Sequence, residues 1–435
     1  MGLLVGRFEG IMRLIKGKIF YGWWIVLATN VICMLGFGTW LYSFGVFFKP
    51  MMTEFGWTRA MTAGAASLRS VQGGVAGPIV GWAVDKYGSR GVVLIGGLIS
   101  GLGFILMYFV NSLVSLYIIY GLVLSIGMSF MLYIPAFTVL AKWFRRKLSR
   151  ALAVLAVGAG LGGLIFSPLS AFLIGHLGWR FAFVAIGVMV LVVVIPLSFV
   201  IRETPSVMGL RVDGDPPEDE EVSGSGAAKT QAAGPAAASD YTLKQALRSR
   251  TFWLLGAAFF CQSLVHGTVF IHAVPHLTDL GLSMETAAFS VGLLTMVSVI
   301  GRLTFGYLGD FIDKRYLFMV SYTLMGLGVI ALLYAHAMPL VYLFIALFGV
   351  GFGANVPLMP AIQAEYFGRA ALGKIQGFTN PVSMVAGATG PVLAGYLFDR
   401  TGSYHASFLM ATVMPFLAAT FIFFIRPSAQ RKASA

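Results

Sequence analysis

Residues 81–90 of this 435-residue chain read GWAVDKYGSR, and residues 306–315 read GYLGDFIDKR. Each stretch follows a long apolar run, and their aspartates, Asp85 and Asp310, are 225 residues apart. Two proline pairs in later apolar runs keep nearly the same offset: Pro135 with Pro360, and Pro168 with Pro391. These matches at a nearly constant offset indicate an internal duplication, which predicts two pseudo-symmetric halves with a site between them.

The apolar runs around these stretches predict membrane spans. The chain is 58% hydrophobic and 11% charged, which is typical of a polytopic membrane protein rather than of a soluble domain. Runs of about 20 apolar residues cross a bilayer as helices, and continuous rather than alternating runs favour helices over a β-barrel. We predict twelve spans, at 22–48, 61–84, 91–110, 114–140, 151–175, 181–201, 252–277, 287–309, 316–335, 340–364, 374–398 and 405–425.

The predicted fold class is therefore all-α, with twelve transmembrane helices in two pseudo-symmetric six-helix bundles. Residues 203–248 are rich in Gly, Pro, Ser, Ala and acidic residues. Such a composition cannot bury a core and predicts a disordered cytoplasmic linker. The predicted domains are an N-terminal segment 1–20, a bundle 21–202, the linker 203–248, a second bundle 249–426 and a tail 427–435.

The basic residues are unevenly distributed, which predicts the orientation of the chain. Thirty Lys and Arg against seventeen Asp and Glu give a net charge of +13. The tails and loops on the side of the termini hold 24 of the thirty, and the opposite loops hold only Lys49, Arg59, Arg180 and Arg400. By the positive-inside rule, both termini are predicted to be cytoplasmic, in a plasma (inner) membrane. The charge thus predicts the lipid bilayer, and not nucleic acid, as a partner.

Neither a cofactor nor a metal is indicated by the sequence. Both cysteines, Cys33 and Cys261, lie within spans, and no metal-ligand spacing occurs. The stretch GAGLGG (158–163) fits a dinucleotide fingerprint, but no strand precedes it, and small residues at this spacing let membrane helices pack closely. No HExxH pair, nucleophile elbow or phosphate-binding loop occurs, so an enzyme is not predicted.

Two arginines, Arg69 and Arg302, lie well inside predicted spans, whereas all acidic residues lie outside the spans or at their edges. A charge at mid-bilayer costs about 2.5–3.5 kcal/mol and normally faces a cavity and finds a partner. Since the chain supplies no carboxylate at that depth, we expect the partner to be an anion that binds and dissociates. Arg302 is eight residues before Asp310, roughly 12 Å along a helix, too far for a direct salt bridge.

The guanidinium of Arg302 offers a planar fork of donors that matches a carboxylate. The competing interpretation is an arginine hydrogen-bonded to backbone carbonyls at a helix kink. Arg69 lies nearer the outer face, where it would act as a second anion contact, as an outer-gate charge or as a snorkelling side chain.

Three histidines fall in the seventh span, in and before FIHAVPHL (270–277). Their spacing places His272 and His276 on one helix face and His266 about 120° from His276. With no carboxylate at this depth, His272 is predicted to titrate near neutrality, and either to bond the substrate or to carry a proton. The alternative is a neutral histidine that bonds a carbonyl near Pro275.

Four further polar residues lie at mid-membrane positions and are weaker candidates. Tyr42 and Tyr133 each place a hydroxyl where it needs a partner. Asn380 and Asn355 either bond a substrate or join helices, since interhelical polar contacts are common.

The stretch GWAVDKYGSR resembles the G-x-x-x-D-K/R-x-G-x-R signature of the major facilitator superfamily. Within it, FYGWWIV…YSFGVFF (20–48) and GRLTFGYLGD (301–310) resemble the monocarboxylate transporter and oxalate:formate antiporter branch. This resemblance implies that Arg302 matches an arginine that binds the substrate carboxylate. It also implies that His272 matches a histidine in the substrate cavity of bacterial relatives. The oxalate carrier uses a second cation in the stretch matching 377–385, and no Lys or Arg stands there in this chain.

The same resemblance implies a cytoplasmic gate formed by Asp85 and Arg90 with Asp310 and Arg315. In the second copy Asp313 and Lys314 replace the expected glycine region, so this copy departs from the family pattern.

The function expected from these features is proton-coupled symport of a small organic monocarboxylate, such as lactate or pyruvate, by a monomer that works by alternating access. A monocarboxylate that moves with one proton carries no net charge, and so avoids a field worth about 2.3 kcal/mol per 100 mV. One alternative is anion exchange of the oxalate:formate type. An alternative from another class is a transporter-like membrane receptor or sensor.

Overall fold

The computed structural model describes residues 20–215, 241–368 and 372–426, and within them the chain is helical. The predicted N-terminal segment and tail, and most of the predicted linker, lie outside the described residues. Within these described ranges, ten helices are long and apolar enough to cross a membrane. Two of them are about twice the length of one span, and each is divided by a glycine.

The divisions occur at Gly88 and Gly178, where the backbone reaches φ of 74° and 77°. This left-handed region is open to glycine at little cost and is strained for other residues. The helical run Arg59–Phe109 therefore contains two spans, and so does Leu148–Val200. Division of these two runs gives the twelve spans predicted from the sequence.

We number the spans α1 to α12 in chain order. They are α1 Gly22–Phe55, α2 59–87, α3 89–109, α4 Leu113–Trp143, α5 148–177, α6 179–200, α7 Arg250–Asp279, α8 Met284–Leu308, α9 Lys314–Leu333, α10 Met338–Phe367, α11 Leu372–Thr401 and α12 His405–Phe423. Within α1, residues Phe37–Tyr42 form a π-helical turn, and Tyr117–Leu124 form another within α4. Such turns are rare and often lie at functional sites.

Each group of six helices has its own apolar core. In the first half Phe47, Phe104 and Phe183 are buried and stacked on one another. In the second half Phe318 packs on Phe259 and Tyr322. We call the side that holds Phe20, Gly88 and Arg426 the termini face, and the side that holds Gly56, Gly178 and Gly402 the distal face.

The predicted linker is structured where its two ends are described. Glu203 accepts a hydrogen bond from the Ser89 N–H (2.7 Å) and pairs with Lys142. Asp213 accepts bonds from the N–H groups of Arg145, Arg146 and Lys147, just before α5 begins. Burial alone would raise the pKa of Asp213, but these N–H groups outweigh it and hold the pKa below its usual value.

At the other end of the linker, a short helix Leu243–Arg248 is capped by Thr242 and Gln245. The composition of the linker did not reveal these local contacts. Both described ends of the predicted linker thus contain short helical turns, and its extent remains a prediction.

The glycine stretch 158–163 lies where the two halves meet. Thr295 of α8 donates its hydroxyl to the Gly160 carbonyl (2.8 Å). A Cβ atom at Gly163 would lie 2.2 Å from the Thr295 hydroxyl oxygen. The small residues thus let α5 and α8 approach closely, as the sequence predicted.

We expect Gly163→Ala to destabilise the protein, because the added methyl group meets Thr295 and overpacking costs about 1–3 kcal/mol. A lower midpoint of thermal unfolding in detergent would show it. The matched control is Gly77→Ala in α2, where a Cβ meets no atom within 4 Å. That change should leave the midpoint unchanged or raise it, since alanine favours a helix over glycine by about 0.5–1 kcal/mol. Equal midpoints for the two variants would contradict the close packing of α5 on α8.

Candidate functional site

The two halves are joined at the distal face by four charged residues, which we call the distal ion cluster: Lys49, Arg59, Asp279 and Asp399. Asp399 of α11 accepts hydrogen bonds from the N–H groups of Arg59 and Ala60, both at 2.9 Å. A carboxylate is stabilised there because the first N–H groups of α2 lack partners within the helix and carry the positive end of its dipole. Asp279 of α7 pairs with Lys49 (2.5 Å) and Arg59 (2.8 Å).

Aromatic rings close the layer beneath this cluster. The Arg59 guanidinium lies 3.5 Å from the centre of the Phe398 ring and 4.6 Å from that of Tyr404. Phe48 of α1 meets the His272 ring of α7 edge-on at 5.2 Å. Ser67 of α2 donates to the Ala388 carbonyl of α11. The distal face is therefore closed by contacts between the halves.

His272 lies in this closed layer and is fully bonded. Its Nδ1 is 2.8 Å from the Tyr404 hydroxyl, and its Nε2 is 2.8 Å from the Pro391 carbonyl. The side chain has no exposed surface. His272 thus bonds a backbone carbonyl and lies where α7, α11 and α1 meet. His276 is also bonded, with its Nε2 3.0 Å from the Leu332 carbonyl.

Arg302 lies on the termini side of this layer, six residues before the end of α8. Its Nη1 donates to the Ala156 carbonyl of α5 at 2.8 Å, which is a contact between the halves. Its Nε is enclosed and has no hydrogen-bond partner among the described residues. The guanidinium therefore makes one carbonyl bond and retains donors for a further partner.

Aromatic side chains surround the Arg302 guanidinium. Its Cζ is 6.0 Å from the centre of the Phe352 ring, and it interacts electrostatically with the hydroxyl of buried Tyr42. Tyr42 packs on Phe270 (5.4 Å), which packs on Phe352 (5.0 Å). His266 meets Phe352 edge-on at 4.7 Å.

Tyr133 of α4 is 55% exposed and interacts electrostatically with Arg302. It follows Leu132, where α4 departs from helical geometry (φ −93°, ψ −118°). The central site, as we use the term, consists of Tyr42, Tyr133, His266, Phe270, Arg302 and Phe352.

Arg69 is held by the protein rather than turned to the central site. Its Nη1 donates to the Trp40 carbonyl (3.2 Å) and to the Tyr120 hydroxyl (3.3 Å), and its side chain lies over the Trp40 ring. The Tyr120 hydroxyl also donates to the Trp40 carbonyl (2.6 Å). Trp40 lies in the π-helical turn of α1, and Tyr120 in that of α4. In this state Arg69 therefore joins α1, α2 and α4.

The remaining predicted residues are spread over α10, α11 and the termini face. Asn380 of α11 is exposed. Asn355 is buried and donates to the Gly351 carbonyl (2.9 Å) and the Ser321 hydroxyl (3.1 Å), which are contacts within the second half.

The four residues of the predicted cytoplasmic gate are not brought together in this state. Asp85 and Asp310 are exposed at the termini face. Arg90 lies over the Phe199 ring, with 4.6 Å between its Cζ and the ring centre. Arg315 pairs with Asp313 (2.8 Å) and donates to the Ile425 carbonyl (2.8 Å).

Sequence reasoning missed several residues that the structure places at the site. Phe270 and Phe352 were read as ordinary apolar residues of spans. His266 and Phe270 are four residues apart, so one helix face carries both, which was an available signal. Nothing in the sequence indicated that Asp399 caps α2, because that contact joins positions 340 residues apart.

The central site is suited to binding one anion. It lies among apolar groups, where a charged hydrogen bond is stronger than in water. It presents one guanidinium, with phenol and imidazole groups around it and no carboxylate among its six residues. The described residues contain no cluster of His, Cys, Asp or Glu that fits a metal ion.

Comparison with known families gives a consistent result. The sequence model of the Major Facilitator Superfamily matches residues 26–310 and 268–435. Monocarboxylate transporter 13 from Bos taurus is 30% identical over 401 residues, which cover 90% of this chain and 86% of the relative. Monocarboxylate transporter 12 from Mus musculus is 26% identical over 422 residues, covering 93% and 86%.

Solved structures show the same fold at low sequence identity. A bacterial homologue of the human lysosomal transporter Spinster, in an inward-facing and occupied conformation, superposes with a TM-score of 0.70 at 16% identity and covers 94% of this chain and 97% of its own. A D-xylose–proton symporter superposes with a TM-score of 0.69 at 16% identity, covering 94% and 99%.

We expect Asp399→Ala to open the distal face, because it removes the carboxylate from the N-terminus of α2. Hydrogen bonds to a charged group contribute about 1.5–3 kcal/mol, so the ratio of closed to open molecules should fall by about tenfold or more. The measurement is the distance between spin labels at Phe181→Cys and Tyr334→Cys, in a background with Cys33→Ala and Cys261→Ala. Both label positions are exposed and near the distal face.

The variant should show a new population of longer distances in lipid nanodiscs. Glu285→Gln is the control, because Glu285 is an exposed acid in the first turn of α8 at the same face. A distance distribution for Asp399→Ala that matches the unsubstituted protein would show that the cap does not hold the halves together.

Proposed function

The chain belongs to the monocarboxylate transporter branch of the major facilitator superfamily, and from that premise we propose that it carries a small organic monocarboxylate together with a proton. It is a multi-pass membrane transporter and not an enzyme. The observation that carries the proposal is the enclosed Nε of Arg302 at the central site, for which the described residues supply no hydrogen-bond partner.

In the proposal, Arg302 binds the carboxylate of the substrate. The Nε donor and the Nη donors not used by Ala156 form the fork that a carboxylate accepts in two bonds. Tyr42 of α1 adds a hydroxyl beside the guanidinium, and Tyr133 of α4 adds a second one. Phe270 and Phe352 contact the apolar body of the acid. Lactate and pyruvate are the simplest acids that fit this pattern.

His272 is proposed as the proton site. Phe48 and the distal ion cluster cover it in this state, and both of its ring nitrogens are bonded, one to the Tyr404 hydroxyl and the other to the Pro391 carbonyl. Separation of α1 from α7 at the distal face would uncover it and free it to take a proton. Uptake of anion and proton together moves no net charge, and so avoids about 2.3 kcal/mol per 100 mV of membrane potential.

Alternating access follows from the two ends of the molecule. The distal ion cluster joins the halves in the present state, while Asp85 and Asp310 are exposed at the termini face. In the opposite state we propose that these aspartates, with Arg90 and Arg315, close the termini face. We further propose that this face is cytoplasmic in the plasma (inner) membrane and that the carrier works as a monomer.

Anion exchange of the oxalate:formate type is supported less well. Its substrate would call for a second cation, and Arg69 is bonded to Trp40 and Tyr120 instead. Asn380 of α11, in the stretch where an oxalate carrier has its second cation, supplies a neutral amide. A receptor role finds no specific support in the described residues.

We expect Arg302→Gln to lower uptake of labelled lactate or pyruvate into proteoliposomes under an imposed pH gradient. Loss of a buried charge pair costs about 2–5 kcal/mol, so the rate at low substrate concentration should fall by more than about tenfold. Arg302→Lys keeps the charge but loses the fork, and should retain only part of the rate. The control is Arg400→Gln, an exposed arginine near the distal face. Unchanged uptake by Arg302→Gln would refute the proposed function.

We expect His272→Gln to uncouple transport from the proton. Glutamine can hydrogen-bond the same neighbours, but it does not titrate. Uptake driven by a pH gradient should be lost, while exchange of labelled for unlabelled acid across the membrane should persist. If the variant still concentrates substrate in response to a pH gradient, another group carries the proton.

A further inference from the structure

The three histidines of α7 differ in how their ring nitrogens are satisfied. His272 and His276 each bond a backbone carbonyl of a neighbouring helix. His266 has no hydrogen-bond partner among the described residues, and its Nε2 is enclosed by the protein. An enclosed polar atom without a partner costs about 1–3 kcal/mol. Packing alone therefore does not explain a histidine at this position.

His266 also lies at the central site. Its ring meets the Phe352 ring at 4.7 Å, and the Arg302 Cζ is 6.0 Å from the centre of that same ring. Phe348 and Phe270 flank the imidazole at 6.4 Å each. His266 and Arg302 therefore both lie beside the Phe352 ring, which provides an apolar surface between them.

A second unpartnered group lies on the same face of α7. Gln262 is one helical turn before His266, is 3% exposed, and has an enclosed Oε1 without a partner among the described residues. Residues four apart are neighbours on a helix surface. The face of α7 that contains His266 thus presents two unsatisfied polar atoms, whereas the histidines nearer the distal end of the helix are bonded.

We propose that His266 is a second polar contact for the substrate, which would be a monocarboxylate with a hydroxyl or carbonyl group at the end remote from its carboxylate. The carboxylate binds Arg302, the carbon skeleton lies along Phe352 and Phe270, and the remote group bonds His266. A neutral imidazole has one donor and one acceptor nitrogen, so it serves either a hydroxyl or a carbonyl. This inference rests on the proposed function, because it takes Arg302 as the carboxylate site.

The physical basis of selectivity is the cost of leaving His266 unpaired. An acid that ends in a methyl group or a plain ring would leave the enclosed Nε2 of the imidazole unpaired. A site built to bond a polar group discriminates strongly against an analogue that lacks it. Short acids such as lactate would be held at the Arg302 end of the site without a bond to His266, and would therefore bind less tightly than a longer hydroxy acid.

The test compares matched acids as inhibitors of labelled pyruvate uptake in proteoliposomes. The pairs are butanoate and 4-hydroxybutanoate, hexanoate and 6-hydroxyhexanoate, and 3-phenylpropanoate and 3-(4-hydroxyphenyl)propanoate. We expect the hydroxylated member of at least one pair to inhibit about tenfold more strongly in the unsubstituted protein, as one hydrogen bond to an enclosed group allows. His266→Phe should bring that ratio close to one, because it removes both the polar partner of the hydroxylated acid and the nitrogen that the unhydroxylated acid leaves unpaired.

His266→Leu is the second variant, in case His266→Phe fails to fold, and it should give the same loss of preference. His176→Phe is the control, because His176 is an exposed histidine of α5, and it should keep the preference. The inference is overturned if no pair shows a hydroxyl preference, or if the preference survives both His266 variants. The proposed function is tested separately by Arg302→Gln, which should lower pyruvate uptake by more than about tenfold whatever the outcome for His266.

Discussion

The proposed function depends on the Arg302 guanidinium, which lies within a membrane span at a depth where the sequence places no carboxylate. An arginine within the hydrocarbon region is costly unless it faces a cavity and finds a partner. Arg302 has one partner in the Ala156 carbonyl, and its Nε has none among the described residues. In the proposed function a bound carboxylate supplies the missing partner, and it would join Arg302 of the second half to the hydroxyls of Tyr42 in α1 and Tyr133 in α4.

The placement of acids explains how the same chain holds its halves together. Asp279 and Asp399 lie at the ends of their helices, where water lowers the cost of a charge, and there they pair with Lys49, Arg59 and the first N–H groups of α2. Such contacts are strong enough to close the distal face and exposed enough to be exchanged for water. Had an acid been placed beside Arg302, an internal pair would compete with the substrate for the same donors.

Much of the fold followed from the sequence, because span length and the repeat between Asp85 and Asp310 depend on local composition. The two glycines that divide the long helical runs also lie between predicted spans. Arg302 became a candidate because a charge inside an apolar run is visible without a structure. The lining of the site was harder to predict, since Phe270 and Phe352 look like any apolar residue of a span, and the bonds of Arg69 depend on two π-helical turns. The location of His272 in the closed distal layer depends on how the halves meet, which no local pattern encodes.

The most direct measurement is an experimental structure with a bound monocarboxylate, obtained in lipid nanodiscs at saturating concentration. The account predicts the carboxylate oxygens within hydrogen-bond distance of the Arg302 Nε and one Nη, with the carbon skeleton against Phe352. An acid bound elsewhere, or an Arg302 whose Nε is bonded to a backbone carbonyl while substrate is present, would contradict it.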